Sequence, residues 1–263
     1  MPQTVWDFSG ERVLVTGGAG GIGLAIGTAF ARAGARVILL GRSRSALDVA
    51  VSTVNADGPG DASSEVCDLR DPGEISRAAE AVTEKFGGVD ILVNNAGVSG
   101  SVPFLELRER ELDLNLDVNL RATILLTRAL IGGMLDRGRG SVINIASQAA
   151  RRGFPEISHY SASKAGIIGF TMSLAVEVAP AVRVNAICPG MVLTKMMHDN
   201  IRTTSERKGI SYDESYAEWS SGIPMGAMQQ PNDVANATLF LASDAAGQIT
   251  GEALNVSGGQ TMH

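Results

Sequence analysis

Residues 12–35, RVLVTGGAGGIGLAIGTAFARAGA, join a short apolar run to a helix through a glycine-rich turn. The run RVLVT is β-branched and stops at glycine, which is typical of a buried parallel strand. The segment after Gly23 has helical spacing and ends at Gly34, where glycine suits a helix C-cap. A turn of this kind aims backbone N–H groups and the positive end of a helix dipole at a pyrophosphate.

The glycines of this turn have the spacing GxxxGxG, at Gly17, Gly21 and Gly23. Glycine is required where a Cβ would block a close approach or where φ must be positive. The spacing differs from the GxGxxG of long-chain dehydrogenases, and a loop without a ligand is the alternative interpretation. In its strand–turn–helix setting we interpret the turn as a nucleotide-binding loop.

The same alternation of strand and helix continues along the chain. Further strands are predicted at 36–40, 64–67, 89–93, 141–146, 182–188 and 252–256, and further helices at 45–56, 73–86, 105–136, 157–179 and 231–243. The pattern predicts one α/β domain, 1–263. Its doubly wound (Rossmann) parallel sheet has about seven strands, helices on both faces and ligands at the carboxyl ends of the strands. Residues 191–224 interrupt the rhythm with a polar segment, which indicates a substrate lid.

The composition narrows the functional classes. Of 263 residues, 44% are hydrophobic and 5% aromatic, so the core is aliphatic. The net charge of −6 leaves no basic surplus, so neither nucleic acid nor a membrane is an expected partner. The first residues lack a signal pattern and no apolar run has the length of a membrane span, so we expect a cytoplasmic protein. Cys67 and Cys188 are expected to be free thiols, and without a Cys/His cluster no metal is predicted.

The end of the second predicted strand bears on the choice of cofactor. An NAD-specific fold places an acidic residue about 20 residues after the glycines, where it holds the adenosine ribose. Gly41 and Arg42 occupy that place, so no carboxylate repels a 2′-phosphate and a guanidinium can bind one. This favours NADP(H), with NAD(H) as the other candidate. In the alternative interpretation, Arg42 and Arg44 are solvated loop charges.

Polar residues follow other predicted strands. Asp68 can accept a hydrogen bond from an adenine amino group, or can serve only as a turn residue. Asn94–Gly97 (NNAG) suits a polar loop that leaves room for a ligand, with simple turn chemistry as the alternative. Asn119 lies in an apolar stretch, where a buried amide needs a partner.

Tyr160 and Lys164 are four residues apart in a predicted helix, so their side chains share one face. A phenol normally has a pKa of about 10. An ammonium group beside it lowers that pKa, which makes tyrosine usable as a general base near neutral pH. For an isolated YxxxK the alternative is a surface tyrosine with a solvated lysine. Ser147, at the end of a predicted strand, favours the catalytic interpretation.

Together these motifs resemble those of the short-chain dehydrogenase/reductase family, over nearly the whole chain. The matching segments are Thr16–Gly23 (TGxxxGxG), Asp68-Leu69, Asn94–Gly97, Pro189-Gly190 and Ile249–Glu252, and the matching tetrad is Asn119, Ser147, Tyr160 and Lys164. The resemblance implies an NAD(P)-dependent dehydrogenase or reductase that acts on CH–OH groups. It also implies a homotetramer built on the two long helices and on the last helix and strand.

The resemblance also implies residue roles. Tyr160 exchanges a proton with the substrate, Ser147 stabilises charge developing on the substrate oxygen, and Asn119 holds a water of a proton relay. Lys164 lowers the pKa of the tyrosine and binds the nicotinamide ribose. Motifs and resemblance together predict cofactor contacts at Gly17, Gly20, Gly21, Ile22, Gly23, Arg42, Asp68, Leu69, Asn95, Ala96, Gly97, Tyr160, Lys164, Pro189, Gly190, Val192 and Thr194.

The stretch after the fifth predicted strand bears on the substrate. Residues 147–153, SQAARRG, resemble those of some polyol dehydrogenases of this family. Gln148 would then bind a second hydroxyl of the substrate, beside the contacts of Ser147 and Tyr160. In the alternative, Gln148 turns away and Arg151 and Arg152 are solvated.

Three hypotheses about the function remain. The leading hypothesis is an oxidoreductase for a small molecule: a polyol, a sugar or a related hydroxy or keto compound. The second is a 3-oxoacyl-thioester reductase, for which Arg128, Arg137 and Arg139 could dock a carrier protein, although the net acidity argues against it. The third is a nucleotide-sensing protein without turnover, and the intact tetrad argues against that.

Overall fold

The computed structural model describes residues 6–262 and places seven strands in one sheet. The strands are β1 (Arg12–Thr16), β2 (Arg36–Gly41), β3 (Asp61–Val66), β4 (Ile91–Asn94), β5 (Gly140–Ile145), β6 (Val182–Pro189) and β7 (Ala253–Val256). All pairs are parallel, in the order β3-β2-β1-β4-β5-β6-β7. The predicted doubly wound sheet is confirmed, and the strand order reverses its direction between β1 and β4.

Helices cover both faces of this sheet. They are α1 (Gly21–Arg32), α2 (Arg44–Asn55), α3 (Pro72–Phe86), α4 (Glu109–Asn115), α5 (Ala122–Arg137), α6 (Ser158–Val178), α7 (Lys195–Lys208), α8 (Tyr212–Ser220) and α9 (Pro231–Ala242). Buried residues of α1, α2 and α9 form the core on one face, and those of α3, α5 and α6 form it on the other. The central strands read as continuous apolar runs because both of their faces are buried.

Strand β3 begins earlier than predicted. It spans Asp61–Val66, and its residues DASSEV are mostly only partly buried. As the edge strand of the sheet it pairs on one side only, with β2. An edge strand lacks the continuous apolar run that identifies the central strands, which explains why its start was misplaced.

The helix predicted at 105–136 begins later, at Glu109, and contains a π-helical turn. Phe104–Glu106 form a single 3-10 turn, and the continuous helix starts at Glu109. Leu105 extends the apolar pattern of the sequence, yet its side chain is 97% exposed. Between α4 and α5, Leu116–Arg121 form a π-helical turn that contains Asn119. Apolar spacing alone cannot reveal such an insertion, because a π-turn changes the helical register locally.

The combined helix Glu109–Arg137 has the length and hydropathy of a membrane span. Its inner residues Leu126, Leu130 and Met134 are nevertheless buried in the core against the sheet. We therefore interpret it as a core helix.

The polar segment predicted as a lid contains α7 and α8. Their inner residues Met197 and Ile201 pack with Ile223 and Met228 in a small separate cluster, which Tyr212, Tyr216 and Trp219 flank. This cluster is distinct from the two that cover the sheet. The segment therefore has a small core of its own.

A buried carboxylate joins the amino ends of β1, β4 and β5. Asp90, with a side chain 2% exposed, accepts two hydrogen bonds from the guanidinium of Arg12 at 2.7 and 2.8 Å. Arg137 and Arg139 lie 3.4 and 3.7 Å from the same carboxylate. Burial would raise the pKa of Asp90, but the hydrogen bonds and charge of Arg12, with that of Arg139, lower it overall.

We expect Asp90→Asn to lower the free energy of unfolding by about 3 kcal/mol at pH 7, because it leaves the facing guanidinium groups without a counter-charge. The lowered pKa of Asp90 means that this contribution is present above pH ~4 and is lost as the pH falls through the folded-state value. Urea unfolding at pH 7 and pH 3 measures both effects. Asp61→Asn is the control, because Asp61 lies 4.0 Å from Arg36 in an exposed pair that contributes less than ~1 kcal/mol. Equal losses in the two variants would contradict this account.

Candidate active site

The glycine-rich turn and the NNAG loop lie side by side where the strand order reverses. The hydroxyl oxygen of Thr16, at the end of β1, accepts hydrogen bonds from the backbone N–H groups of Asn95 and Ala96, both at 2.9 Å. The side-chain amide of Asn95 donates to the Thr16 carbonyl at 2.8 Å. These bonds join the ends of β1 and β4. Thr16 belongs to the TGxxxGxG motif, but the motif alone did not indicate that its hydroxyl binds the NNAG loop.

The glycines of the turn are required by close approaches. A Cβ at Gly23 would lie 2.3 Å from the carbonyl oxygen of Gly17, and one at Gly21 would lie 3.2 Å from the Thr194 side chain. Gly17 and Gly21 also have φ of +65° and +54°. Gly20, at the N-cap of α1, has no side chain to cap the helix, and a Cβ there would meet no atom within 4 Å. Uncapped N–H groups beside open space fit a pyrophosphate, so the predicted nucleotide cradle suits this structure.

The predicted adenine end lies at the carboxyl ends of β2 and β3. The carboxylate of Asp68 is paired with the guanidinium of Arg70, which is the main reason that its pKa is lowered, and the charge of Arg42 adds to the effect. Leu69 packs against the core beside α3. Arg42 is exposed in the loop before α2. Arg70, which the sequence prediction missed, thus brings a second cation to this end of the site.

Ser147, Tyr160 and Lys164 meet at the ends of β5 and α6. Ser147 follows β5 and its hydroxyl oxygen accepts from the Ala149 N–H at 3.1 Å. The hydroxyl of Ser147 also lies beside that of Tyr160, where it acts to lower the tyrosine pKa. The ammonium of Lys164 lies 5.9 Å from the centre of the Tyr160 ring and donates to the carbonyl of Ile145 at 2.7 Å. Three of the four tetrad residues therefore share one location.

The protonation states differ from the sequence prediction. Burial raises the pKa of Tyr160, and the Ser147 hydroxyl offsets only part of that rise. Burial also lowers the pKa of Lys164 to about 8. A net lowering of the tyrosine pKa, as the sequence predicted, is therefore not found in this structure, because burial of the phenol is the largest influence on it.

Asn119, the fourth tetrad residue, is held by a buried network. Its amide nitrogen donates to the Val98 carbonyl at 3.0 Å, to the Ser163 hydroxyl at 3.0 Å and to Asn115 at 3.3 Å, and its amide oxygen accepts from the Val98 N–H at 2.8 Å. The Ser163 hydroxyl donates in turn to the carbonyl of Tyr160 at 2.7 Å. Ser163 therefore links Asn119 to the backbone of Tyr160. The sequence prediction missed Ser163, and the only indication of its role was its position three residues after Tyr160 in the same helix.

Gly97 allows Asn119 and Lys164 to approach each other. A Cβ at Gly97 would lie 3.3 Å from both the amide oxygen of Asn119 and the ammonium of Lys164. A polar pocket between these two groups has the partners that a water molecule needs. The relay role of Asn119 stays a prediction.

The remaining predicted cofactor residues lie at the neighbouring strand end. Pro189 ends β6, and the Gly190 N–H donates to the Val256 carbonyl at 2.9 Å. Val192 is buried and pairs with Gln229 in an isolated bridge. Thr194 forms the N-cap of α7 without a side-chain hydrogen bond to the helix. The first turn of the lid segment is thus next to the glycine-rich turn.

The arginines proposed for carrier docking include two at the wrong end of the sheet. Arg137 donates to the Val89 carbonyl and lies beside Asp90, and Arg139 is paired with Glu11 at 2.6 Å. These contacts are at the amino ends of the strands, whereas the tetrad is at the carboxyl ends. The placement of Arg137 and Arg139 therefore does not support carrier docking at the active site.

Gln148 is buried, whereas Arg151 and Arg152 are exposed but hydrogen-bonded to the backbone. Gln148 is 5% exposed, and its amide oxygen accepts a hydrogen bond from the Thr261 hydroxyl at 3.3 Å. Arg151 donates to the Ala253 carbonyl at 2.7 Å, and Arg152 donates to the Gln260 carbonyl at 3.1 Å. The two arginines thus fasten the loop after β5 to β7 and to the residues that follow it.

The buried ammonium of Lys164 has a measurable consequence. Its folded-state pKa of about 8 lies below the unfolded value of about 10.4, so between these values the unfolded chain binds more protons. We expect the stability of the wild type relative to Lys164→Met to rise between pH 8 and pH 10, by at most ~1.4 kcal/mol per pH unit. Urea unfolding across this range measures the slope. Lys195→Met is the control, because Lys195 is exposed, and a flat difference for Lys164→Met would contradict the assignment.

Comparisons with known proteins agree with this site. A family model of the short-chain dehydrogenases, described as enoyl-(acyl carrier protein) reductase, matches residues 17–261. The chain is 38% identical over 249 residues to a monensin polyketide synthase putative ketoacyl reductase of Streptomyces virginiae, covering 94% of this chain and 95% of the relative. It is 37% identical over 263 residues to D-threitol dehydrogenase of Mycolicibacterium smegmatis, covering 98% and 96%.

A solved structure has the same fold over its full length. L-Sorbose reductase from Gluconobacter frateurii, complexed with NADPH and L-sorbose, superposes with a TM-score of 0.94 at 29% identity, covering 99% of this chain and 100% of that one. Its likeness extends over the sheet, the helices and the lid segment. The chain therefore belongs to the short-chain dehydrogenase/reductase family and is an oxidoreductase that acts on alcohol or ketone groups.

Proposed function

We propose that the protein transfers a hydride between NADP(H) and a polyol, a sugar or a related hydroxyketone. The observation that carries the proposal is the convergence of the Ser147 and Tyr160 hydroxyls at the strand ends, with the ammonium of Lys164 5.9 Å from the centre of the tyrosine ring. In ketone reduction, the Tyr160 hydroxyl donates the proton to the substrate oxygen, and Ser147 stabilises the charge that develops there. The high pKa of Tyr160 keeps it protonated and ready to donate.

The residues of the glycine-rich turn, the NNAG loop and the start of the lid segment hold the cofactor in this proposal. When bound, the nicotinamide supplies or accepts the hydride, and the protein fixes its orientation. Lys164 binds the ribose and Asn119 connects Lys164 to solvent through a held water. Residues 191–224 act as the lid that excludes water from the site.

The charge at the end of β2 supports the choice of NADP(H). Arg42 is exposed there and no acidic residue occupies the position of Gly41, whereas the guanidinium of Arg70 is paired with Asp68. L-Sorbose reductase is a relative solved with NADPH. We expect Arg42→Glu to lower kcat/KM for NADPH by ~100-fold and to leave that for NADH within a few-fold. Arg36→Glu places the same charge change at the other end of β2 and should alter neither value. A wild type that prefers NADH would refute the cofactor assignment.

The relatives support two substrate classes. D-Threitol dehydrogenase and L-sorbose reductase are named for polyhydroxy substrates, whereas the S. virginiae relative is named as a ketoacyl reductase, and the sequence identities do not separate them. The buried position of Gln148 directly after Ser147, and the placement of Arg137 and Arg139 at the amino ends of the strands, favour the polyhydroxy class. A 3-oxoacyl-thioester reductase is the second candidate, supported by the ketoacyl relative.

A substrate panel separates the candidates. NADPH oxidation is followed at equal concentrations of ketohexoses, small hydroxyketones and a 3-oxoacyl thioester, and NADP reduction is followed with alditols. The proposal expects kcat/KM for the best polyhydroxy compound to exceed that for the thioester by at least ~10-fold. The reverse order would establish the thioester reductase.

We also propose a cytoplasmic homotetramer. Apolar side chains stay exposed on the elements that the family resemblance assigns to the interfaces: Leu135 on α5 (41%), Met172 and Val176 on α6 (55% and 84%) and Leu254 on β7 (38%). Unpaired buried Cys67 and Cys188 suit a reducing compartment. Light scattering of the purified protein tests the tetramer, and Val176→Glu should shift it to smaller species.

A further inference from the structure

Residues 257–261, which we term the C-terminal turn, lie against the loop that carries Ser147. Ser257 closes the turn on itself, because its hydroxyl accepts from the Thr261 N–H and donates to the Thr261 carbonyl, both at 3.1 Å. The Gln260 carbonyl accepts from Arg152 at 3.1 Å. The turn is therefore internally closed and externally anchored.

The same turn also contacts the end of the lid segment. The Gly258 carbonyl accepts from the Met225 N–H at 3.0 Å, and a Cβ at Gly258 would lie 2.7 Å from the side chain of Ile223. A Cβ at Gly259 would lie 3.1 Å from Pro224. The turn thus fills the space between the lid and the loop after β5.

Thr261 is the member of this turn that reaches a candidate substrate residue. Its hydroxyl donates to the amide oxygen of Gln148 at 3.3 Å, across 113 residues of sequence. Gln148 directly follows Ser147 and is 5% exposed, so its side chain is packed in place. An amide whose oxygen is engaged as an acceptor presents its NH2 group as the donor.

We propose that Thr261 is a positioning residue for substrate selection: it fixes the Gln148 amide so that the NH2 group donates to a second oxygen of the substrate, beside the reacting carbonyl. The inference rests on the proposed polyhydroxy or hydroxyketone substrate. The preferred substrate is then a ketone that carries a hydroxyl or another oxygen substituent on the carbon next to the carbonyl. A substrate without that oxygen leaves the amide unpaired and binds less well.

The test compares 1-hydroxy-2-butanone with 2-butanone, which lacks the hydroxyl, in NADPH oxidation assays. For Thr261→Val we expect the ratio of kcat/KM for the two ketones to fall about tenfold, mainly through a higher KM for the hydroxyketone. Thr261→Ser should restore the ratio, because it keeps the hydroxyl. Thr53→Val is the matched control, since Thr53 is exposed on α2 and its hydroxyl bonds only to the Val49 carbonyl within its own helix.

A double-mutant cycle separates positioning from a general loosening of the site. With Gln148→Ala already present, Thr261→Val should change the ratio less than twofold, because both substitutions remove the same contact. Independent, multiplying effects would overturn the inference, as would an unchanged ratio in Thr261→Val. Thr261→Ala replaces the valine variant should the latter not fold.

The wild type distinguishes this inference from the proposed function. A wild type that shows no preference for the hydroxyketone refutes the proposed substrate class and the inference with it. A wild type that prefers the hydroxyketone, together with a Thr261→Val variant of the same preference, refutes the role of Thr261 alone.

Discussion

Tyr160→Phe is expected to lower kcat by ~10³-fold, the usual contribution of a general acid or base. Phenylalanine keeps the ring and its packing and removes only the hydroxyl that lies beside Ser147. The affinity for NADPH, measured by fluorescence titration, should stay within about threefold. Turnover should fall while binding is kept, because the proposed proton transfer needs the hydroxyl, whereas the packing of the site needs only the ring.

Tyr216→Phe provides the control. Tyr216 is partly buried beside the small core of the lid segment, away from the tetrad, and its loss of a hydroxyl should change kcat less than twofold. A Tyr160→Phe variant that retains more than a tenth of the turnover would refute the acid–base role.

The fold was predictable because its signals are local. Each central strand is an apolar run that ends at glycine or a polar residue, and the glycine-rich turn after Thr16 identifies the first β-α unit. The start of β3 was predicted too late and the start of α4 too early. In both cases the apolar pattern of the sequence does not match the burial of the residues. Asp61 belongs to a strand with little apolar signal, and Leu105 carries an apolar signal without burial.

The site was predictable in part. The tetrad residues stand at motif spacings, and the structure brings Ser147, Tyr160 and Lys164 together. Their pKa values were not predictable, because burial depends on the packing of α6 against β5 and β6 and a sequence gives no measure of it. Contacts between distant segments were equally inaccessible. The bond from Thr261 to Gln148 spans 113 residues, and neither residue type indicates its partner.

The raised pKa of Tyr160 and the lowered pKa of Lys164 have one cause and one functional meaning. Both groups are taken from water, and both therefore favour their neutral forms. A neutral phenol can donate a proton to a ketone oxygen but cannot accept one from an alcohol. Ketone reduction can therefore use the protonated Tyr160 directly, whereas alcohol oxidation needs the phenolate and is expected to speed up as the pH rises.

Gly23→Ala is expected to lower the free energy of unfolding by about 3 kcal/mol and to weaken NADPH binding more than ~100-fold. The added Cβ would lie 2.3 Å from the Gly17 carbonyl oxygen and 2.6 Å from the side-chain amide of Asn95. Backbone cannot yield as a flexible side chain can, so the turn must move. That movement disturbs the contact between Asn95 and Thr16 that joins β1 to β4.

Gly20→Ala is the control for Gly23→Ala, because it replaces a glycine of the same turn at a position where the added Cβ has room. Gly20 has extended backbone, with φ of 179°, and a Cβ there meets no atom within 4 Å. Its free energy of unfolding should therefore stay within ~0.5 kcal/mol of the wild type. Urea unfolding of both variants, with NADPH titration of each, measures the contrast. A Gly23→Ala variant as stable as Gly20→Ala would show that the turn can relax around a methyl group, and the close approach at Gly17 would then not explain the glycine.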